Sequence, residues 1–147
     1  MHRMTSSYSY RLTSTLLMSS FATTFPDGDW MPSIRDLVAA IRQREGVEAA
    51  VVLGRDGLLI DSQAMPGLDV EDLAARIPAI IGPADDLGRA AQRGELVTAV
   101  LEHHGGLAII SCVSAEAVLF VLLTPQANIG QLLYELRRNR EHIAALV

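Results

Sequence analysis

Ile34, Leu37, Val38 and Ile41 recur three and four residues apart behind Ser33 and Asp36. That spacing predicts an amphipathic helix, opened by an acidic capping box and closed at Gly46. The period then changes. EAAVVL and LLIDSQ are two short runs of strand formers on either side of Gly54-Arg55-Asp56-Gly57. A phosphate-gripping glycine loop leads into a helix N-terminus, whereas here aliphatic strand lies on both sides and Asp56-Gly57 is a hairpin signal. The stretch therefore reads as a turn, with Arg55 expected at its solvated tip.

After Pro66-Gly67, Asp69 can cap a second helix, whose apolar stripe runs through Val70, Leu73, Ala74, Ile77, Ile80, Ile81, Ala84, Leu87, Gly88 and Ala91. Pro78, and Gly82-Pro83 followed by Asp85 and Asp86, predict a kink or break, and Gly94 ends the helix. Opposite the stripe stand Ala75, Ala79, Gly82 and Ala90, where a free helix would carry Lys and Glu. Small residues there admit another backbone, and alanine equally favours helix for its own sake; the pattern leaves both readings open. ELVTAVLEHH, GLAIISCV and AVLFVLLT follow as three more strands, and Asn128 with Gln131 opens a last helix carrying Ile129, Leu132, Leu133, Leu136 and Ile143. The order is α-β-β-α-β-β-β-α. It predicts an α+β fold with a five-stranded antiparallel sheet, and the near-continuous apolar character of the central strands places helices on both faces.

Residues 1–30 differ from the rest. Met1 to Thr24 contain Arg3 and Arg11 but no acid, in a Ser/Thr-rich background with a brief apolar patch at Leu16, Leu17 and Met18. Three readings stand: an extension too poor in aliphatics to fold, a basic and acid-poor targeting segment, or translation beginning at Met31. The domain is taken as residues 31–147.

Half of the 147 residues are apolar and only 20% are charged. That supplies a core without staples and leaves more apolar surface than a monomer usually exposes. The net charge of -5 opposes binding to nucleic acid, whose phosphates demand clustered Lys and Arg. Every apolar run is interrupted well short of the roughly 18 residues a membrane-crossing helix needs. The single Cys112 cannot form an internal disulfide. These features are those of a cytoplasmic domain that contacts neither nucleic acid nor membrane.

Catalytic chemistry is not legible. His103 and His104 sit next to one another on a strand end, so their imidazoles point to opposite faces and cannot converge on one metal ion. Ser111-Cys112 lies in an aliphatic strand with no accompanying base. The acids stand singly at turns and helix starts, and Arg137, Arg138 and Arg140 read as a solvated face near a helix C-terminus. No cofactor, metal or catalytic residue is expected.

PSIRDLVAAI, EAAVVLGRDGLLIDSQ, LDVEDLAARIPAII, EHHGGLAII and NIGQLLYELRR, taken in order and spacing, resemble the roadblock family in its bacterial MglB-like branch, over about residues 32 to 147. The resemblance implies a roadblock/profilin-like fold and a dimer in which the third strand, Leu96 to Glu102, pairs with its mate while the second helices, Asp69 to Arg93, lie together. Leu96, Thr98, Val100, Glu102, Gly82, Asp86 and Ala90 would then line the dimer interface. It also implies a non-enzymatic regulator of a small Ras-like GTPase of the MglA kind, acting as an activator that supplies no arginine of its own. Glu71, Asp72, Ala75, Arg76 and Ala79 are the expected contact face. A dimeric scaffold that tethers partners without changing nucleotide turnover is the alternative, and a ligand-sensing module is a third.

Overall fold

The computed structural model describes residues 33–147; the readings of residues 1–30 and of a start at Met31 lie outside them. Helix α1 (Ile34–Arg42) begins with the predicted capping box, in which the Ser33 side chain accepts from the Asp36 N–H and the Asp36 carboxylate accepts from the Ser33 N–H. Strands β1 (Val47–Gly54) and β2 (Leu59–Ala64) form the hairpin. Helices α2 (Val70–Arg76) and α3 (Pro78–Ala90) follow, then β3 (Thr98–His103), β4 (Gly106–Cys112), β5 (Ala117–Leu123), α4 (Ile129–Arg138) and α5 (Arg140–Ala144). All pairings are antiparallel, in the order β2-β1-β5-β4-β3.

Alternating residues of the three central strands feed two cores, which is why those strands carry no polar face. One face of the sheet, through Ala50, Val52, Ile109, Leu119 and Val121, packs on Leu37, Val38 and Ile41 of α1 and on Leu132, Leu136 and Ile143 of α4 and α5. The other, through Ala49, Val51, Leu53, Ile110, Val118 and Phe120, packs on Ala74, Ile77 and Ile81 of α2 and α3.

Two expected helices are each two. The second breaks at Ile77, because Pro78 has no N–H to donate and takes the first position of α3, where that loss is harmless. At Gly82-Pro83 the helix instead continues: Pro83 lies inside α3, leaving the carbonyl of Ala79 without its usual i+4 donor. Asp85 and Asp86 therefore do not open a helix. The last helix divides at Asn139, whose buried side-chain amide donates to the Glu135 carbonyl at 2.8 Å, a bond that competes with the helical ladder. Glu135, 2% exposed, is held by Arg44 and Gln131. Neither it nor Asp85 fits the expectation that acids only cap helices.

The chain leaves α3 through Gln92 (φ 59) and Gly94 (φ 82), which curl it back toward the sheet. There the Arg93 N–H donates to the Gly88 carbonyl at 2.7 Å, and a Cβ on Gly88 would collide with the carbonyl oxygen of Gly94. Gly88→Ala is therefore expected to destabilise the fold by about 3 kcal/mol, the cost of forcing a backbone apart. In a thermal melt this lowers the midpoint by roughly 10 °C.

Candidate functional site: an open sheet edge and a bare helical face

The two edges of the sheet are built differently. On β3, the Cys112 N–H donates to the Val97 carbonyl at 2.9 Å, and the register runs from Thr98 opposite Ser111 to His103 opposite Gly106. Bonded and non-bonded pairs alternate in an antiparallel ladder. Ala99, Leu101 and His103 thus direct their backbone groups to β4, while Thr98, Val100 and Glu102 direct theirs away from the sheet. In that alternation the N–H groups of those three have no partner on β4. On β2 the same reasoning, anchored by the Met65 N–H to the Glu48 carbonyl, turns Ser62 and Ala64 outward. There, however, the register shifts between Val52 and Leu53, and the Asp61 carboxylate accepts the Ser62 N–H at 2.8 Å. A bulge and a local cap are the devices that blunt an edge against pairing. The β2 edge has both; the β3 edge has neither.

Apolar surface gathers beside the open edge. Val100 is 41% exposed although it sits opposite the fully buried Ile109. Val97 is exposed too, and Leu87, expected on the buried stripe, is 72% exposed. Leu87 lies where α3 overhangs the edge, beyond the reach of the sheet. With Ala84, Gly88, Ala91, Leu96 and Val97 it lines an open groove of about 580 Å³. Leu87 and Val97 are the surface residues that the sequence pattern missed, because a helical period reports a face and not where the sheet beneath it stops.

Each sequence-predicted residue can now be placed. Glu71, Asp72, Ala75, Arg76 and Ala79 are all exposed on the outer surface of α2 and the start of α3. Asp72 and Arg76 form an ion pair at 2.9 Å one turn apart, which helps to hold the Arg76 proton. Gly82, Asp86 and Ala90 continue that surface along α3, with Asp86 paired to Arg89 at 3.1 Å. Thr98, Val100 and Glu102 lie together on the edge, on the face shared with Ile109. Leu96 stands apart from them: it precedes the strand and packs into the second core.

Arg55 is not a solvated tip. Its Nη1 lies 3.4 Å from the buried Asp85 carboxylate, and its backbone N–H donates to the Glu116 carbonyl at 2.9 Å. The turn it belongs to is pressed against the helices, since a Cβ on Gly57 would meet Pro78, Ala74 and Ala75 at 3.2–3.4 Å. Of the three late arginines Arg137 is exposed as expected, whereas Arg138 and Arg140 are only partly so. Arg140 donates to the Cys112 carbonyl at 2.7 Å, and Arg138 donates to the Tyr134 hydroxyl at 3.2 Å. Burial pushes the Cys112 thiol up from its ordinary value, opposite to what a nucleophile requires. His103 ends β3 and His104 lies in the following turn, both exposed; among the described residues no group of three or more His, Cys, Asp or Glu converges. No helix among them is long and apolar enough to cross a membrane.

Residues 34–123 match the family model described as Roadblock/LC7 domain. An uncharacterized protein of Methanocaldococcus jannaschii is 29% identical over 107 residues, which span 72% of this chain and 92% of that protein. The crystal structure of a Roadblock/LC7 domain from Streptomyces avermitilis aligns with a TM-score of 0.69 at 22% identity, over 78% of this chain and 97% of that one. Myxococcus xanthus MglB aligns with a TM-score of 0.63 at 15% identity, over 68% and 82%. At such identities the likeness to the two solved structures is one of fold.

Proposed function

Since this chain belongs to the Roadblock/LC7 domain family, we propose that it is a non-enzymatic regulatory subunit that pairs with a second copy of itself along β3 and presents the joined α2–α3 surfaces to a small Ras-like GTPase, whose hydrolysis it accelerates. The observation that carries the reading is the asymmetry of the sheet edges. One is bulged and capped; the other offers three free N–H and three free C=O groups in a straight run. A two-fold copy satisfies them all at once. The arrangement that uses every outward group sets Val100 opposite Val100 of the second copy and Thr98 opposite Glu102, giving six hydrogen bonds; moving the axis by one residue leaves four. It also puts both Leu87 side chains and both grooves beside the axis.

The helical surface that such pairing doubles is poor in the long charged side chains of a merely solvated helix, with Ala75, Ala79, Gly82, Pro83 and Ala90 all exposed. Small residues let another backbone approach closely, and the paired Asp72 and Arg76 leave little net charge to desolvate. Acting without a catalytic group, the protein would shift its partner's switch segments toward the hydrolysis-competent arrangement. Single-turnover GTP hydrolysis by a Ras-like GTPase, measured with and without saturating protein, tests the proposal. An increased rate is expected. Binding with an unchanged rate would replace activation by tethering, and neither binding nor rate change would reject the GTPase as partner.

A further inference from the structure

Asp85 is a carboxylate 5% exposed, in the middle of α3, where neither capping nor the helix dipole accounts for it. Its Oδ1 accepts the Leu96 N–H at 2.6 Å, and its Oδ2 lies 3.4 Å from Arg55 Nη1. The two contacts are unequal. The first is short and charge-assisted, whereas the second is long and single, and the Arg55 Nε is buried without a partner among the described residues. The stronger bond falls on the backbone just before the edge strand, one residue ahead of Val97, whose carbonyl makes the first bond to β4. The weaker ties the same carboxylate to the β1–β2 turn that lies beneath the junction of α2 and α3.

We propose that Asp85 is a positioning residue for self-pairing: by holding the Leu96 N–H it fixes where β3 begins on β4, and so which backbone groups face outward at the open edge. The connection from α3 otherwise has little to define its landing point, for Ala91 to Glu95 are all exposed. A slip of one residue would turn Thr98, Val100 and Glu102 inward and present Ala99 and Leu101 instead, exchanging the two faces of the strand. Arg55 ties the carboxylate to the β1–β2 turn, so that the edge, the turn and the helical face are linked through one side chain.

The inference rests on the pairing reading, but part of its test does not. Hydrogen exchange followed residue by residue on the full chain reports the clamp whether the protein is a dimer or a monomer. In Asp85→Ala, exchange at Leu96, Ala99 and Leu101 should accelerate about tenfold or more, as expected for losing one bond to a charged acceptor, with β1 and β5 amides unchanged. Asp85→Asn retains an acceptor oxygen and should keep Leu96 protected within about threefold. If the wild type dimerises, the Asp85→Ala dissociation constant should rise at least about tenfold while that of Asp85→Asn stays near wild type. Should Asp85→Ala fail to fold, Asp85→Asn decides alone. Leu96 and β3 amides as protected in Asp85→Ala as in wild type, or a Leu96 amide that exchanges freely in Asp85→Asn, would overturn the proposal.

Discussion

Val100→Lys is expected to yield a folded monomer. Val100 sits at the centre of the outward-facing run and is 41% exposed, so its replacement opens no cavity in either core. In the two-fold arrangement residue 100 lies opposite itself, and two lysines would then meet directly across the axis, a like-charge pair next to desolvated backbone. Six interchain hydrogen bonds, at about 1 kcal/mol net each, and the apolar contacts of Val100 on one face of the sheet and of Val97 and Leu87 on the other depend on that approach. Losing them should weaken self-association by at least about a hundredfold, given that each 1.4 kcal/mol is a factor of ten. Within one chain a lysine on an edge strand is benign. The far-UV circular dichroism spectrum should therefore stay close to wild type, and light scattering after size exclusion should report a halved mass. A variant that remains dimeric would place the interface elsewhere on the molecule.

Ala79→Arg should have the opposite profile: a dimer of normal stability that has lost its effect on the GTPase. Ala79 is exposed at the start of α3, one turn before Pro83 and beside Ala75 and Arg76. The substitution adds volume and charge where only a methyl group stands. On a solvated surface that changes stability by no more than about 0.5 kcal/mol. At the centre of a closely packed contact it adds a buried, unpaired charge, which costs several kcal/mol. The concentration of protein needed for half-maximal stimulation of GTP hydrolysis should rise by at least about tenfold. Wild-type stimulation by Ala79→Arg would move the contact face off α2 and α3. Because Val100→Lys and Ala79→Arg address different surfaces, they separate assembly from partner binding.

The fold was largely legible because its signals are local. Ser33 with Asp36, Asp56-Gly57, Asp69 and Asn128 each announced an element boundary through a bond made within four residues. The change from helical spacing around Ile34 to unbroken aliphatic runs around Val51 and Val121 announced a sheet covered on both sides. Long-range partners were invisible for the complementary reason. Arg55 and Asp85 are thirty residues apart, and Arg44 and Glu135 ninety-one, so no local pattern joins them, and Arg55 read as a solvated tip and Asp85 as part of a helix start. The break at Pro78 and the continuation through Pro83 turn on which proline starts a helix, and two prolines five residues apart do not reveal that by composition. Leu87 was assigned to the core because the helical period carries no information about where the underlying sheet ends. The candidate surface was legible as small residues opposite the stripe, but the contrast between its two flanking sheet edges required the ladder of backbone bonds.

Sedimentation equilibrium of the wild-type chain at micromolar concentration tests the self-pairing most directly. The account predicts a single species of twice the 15.9 kDa chain mass. A species of 15.9 kDa that persists as the concentration is raised would contradict it.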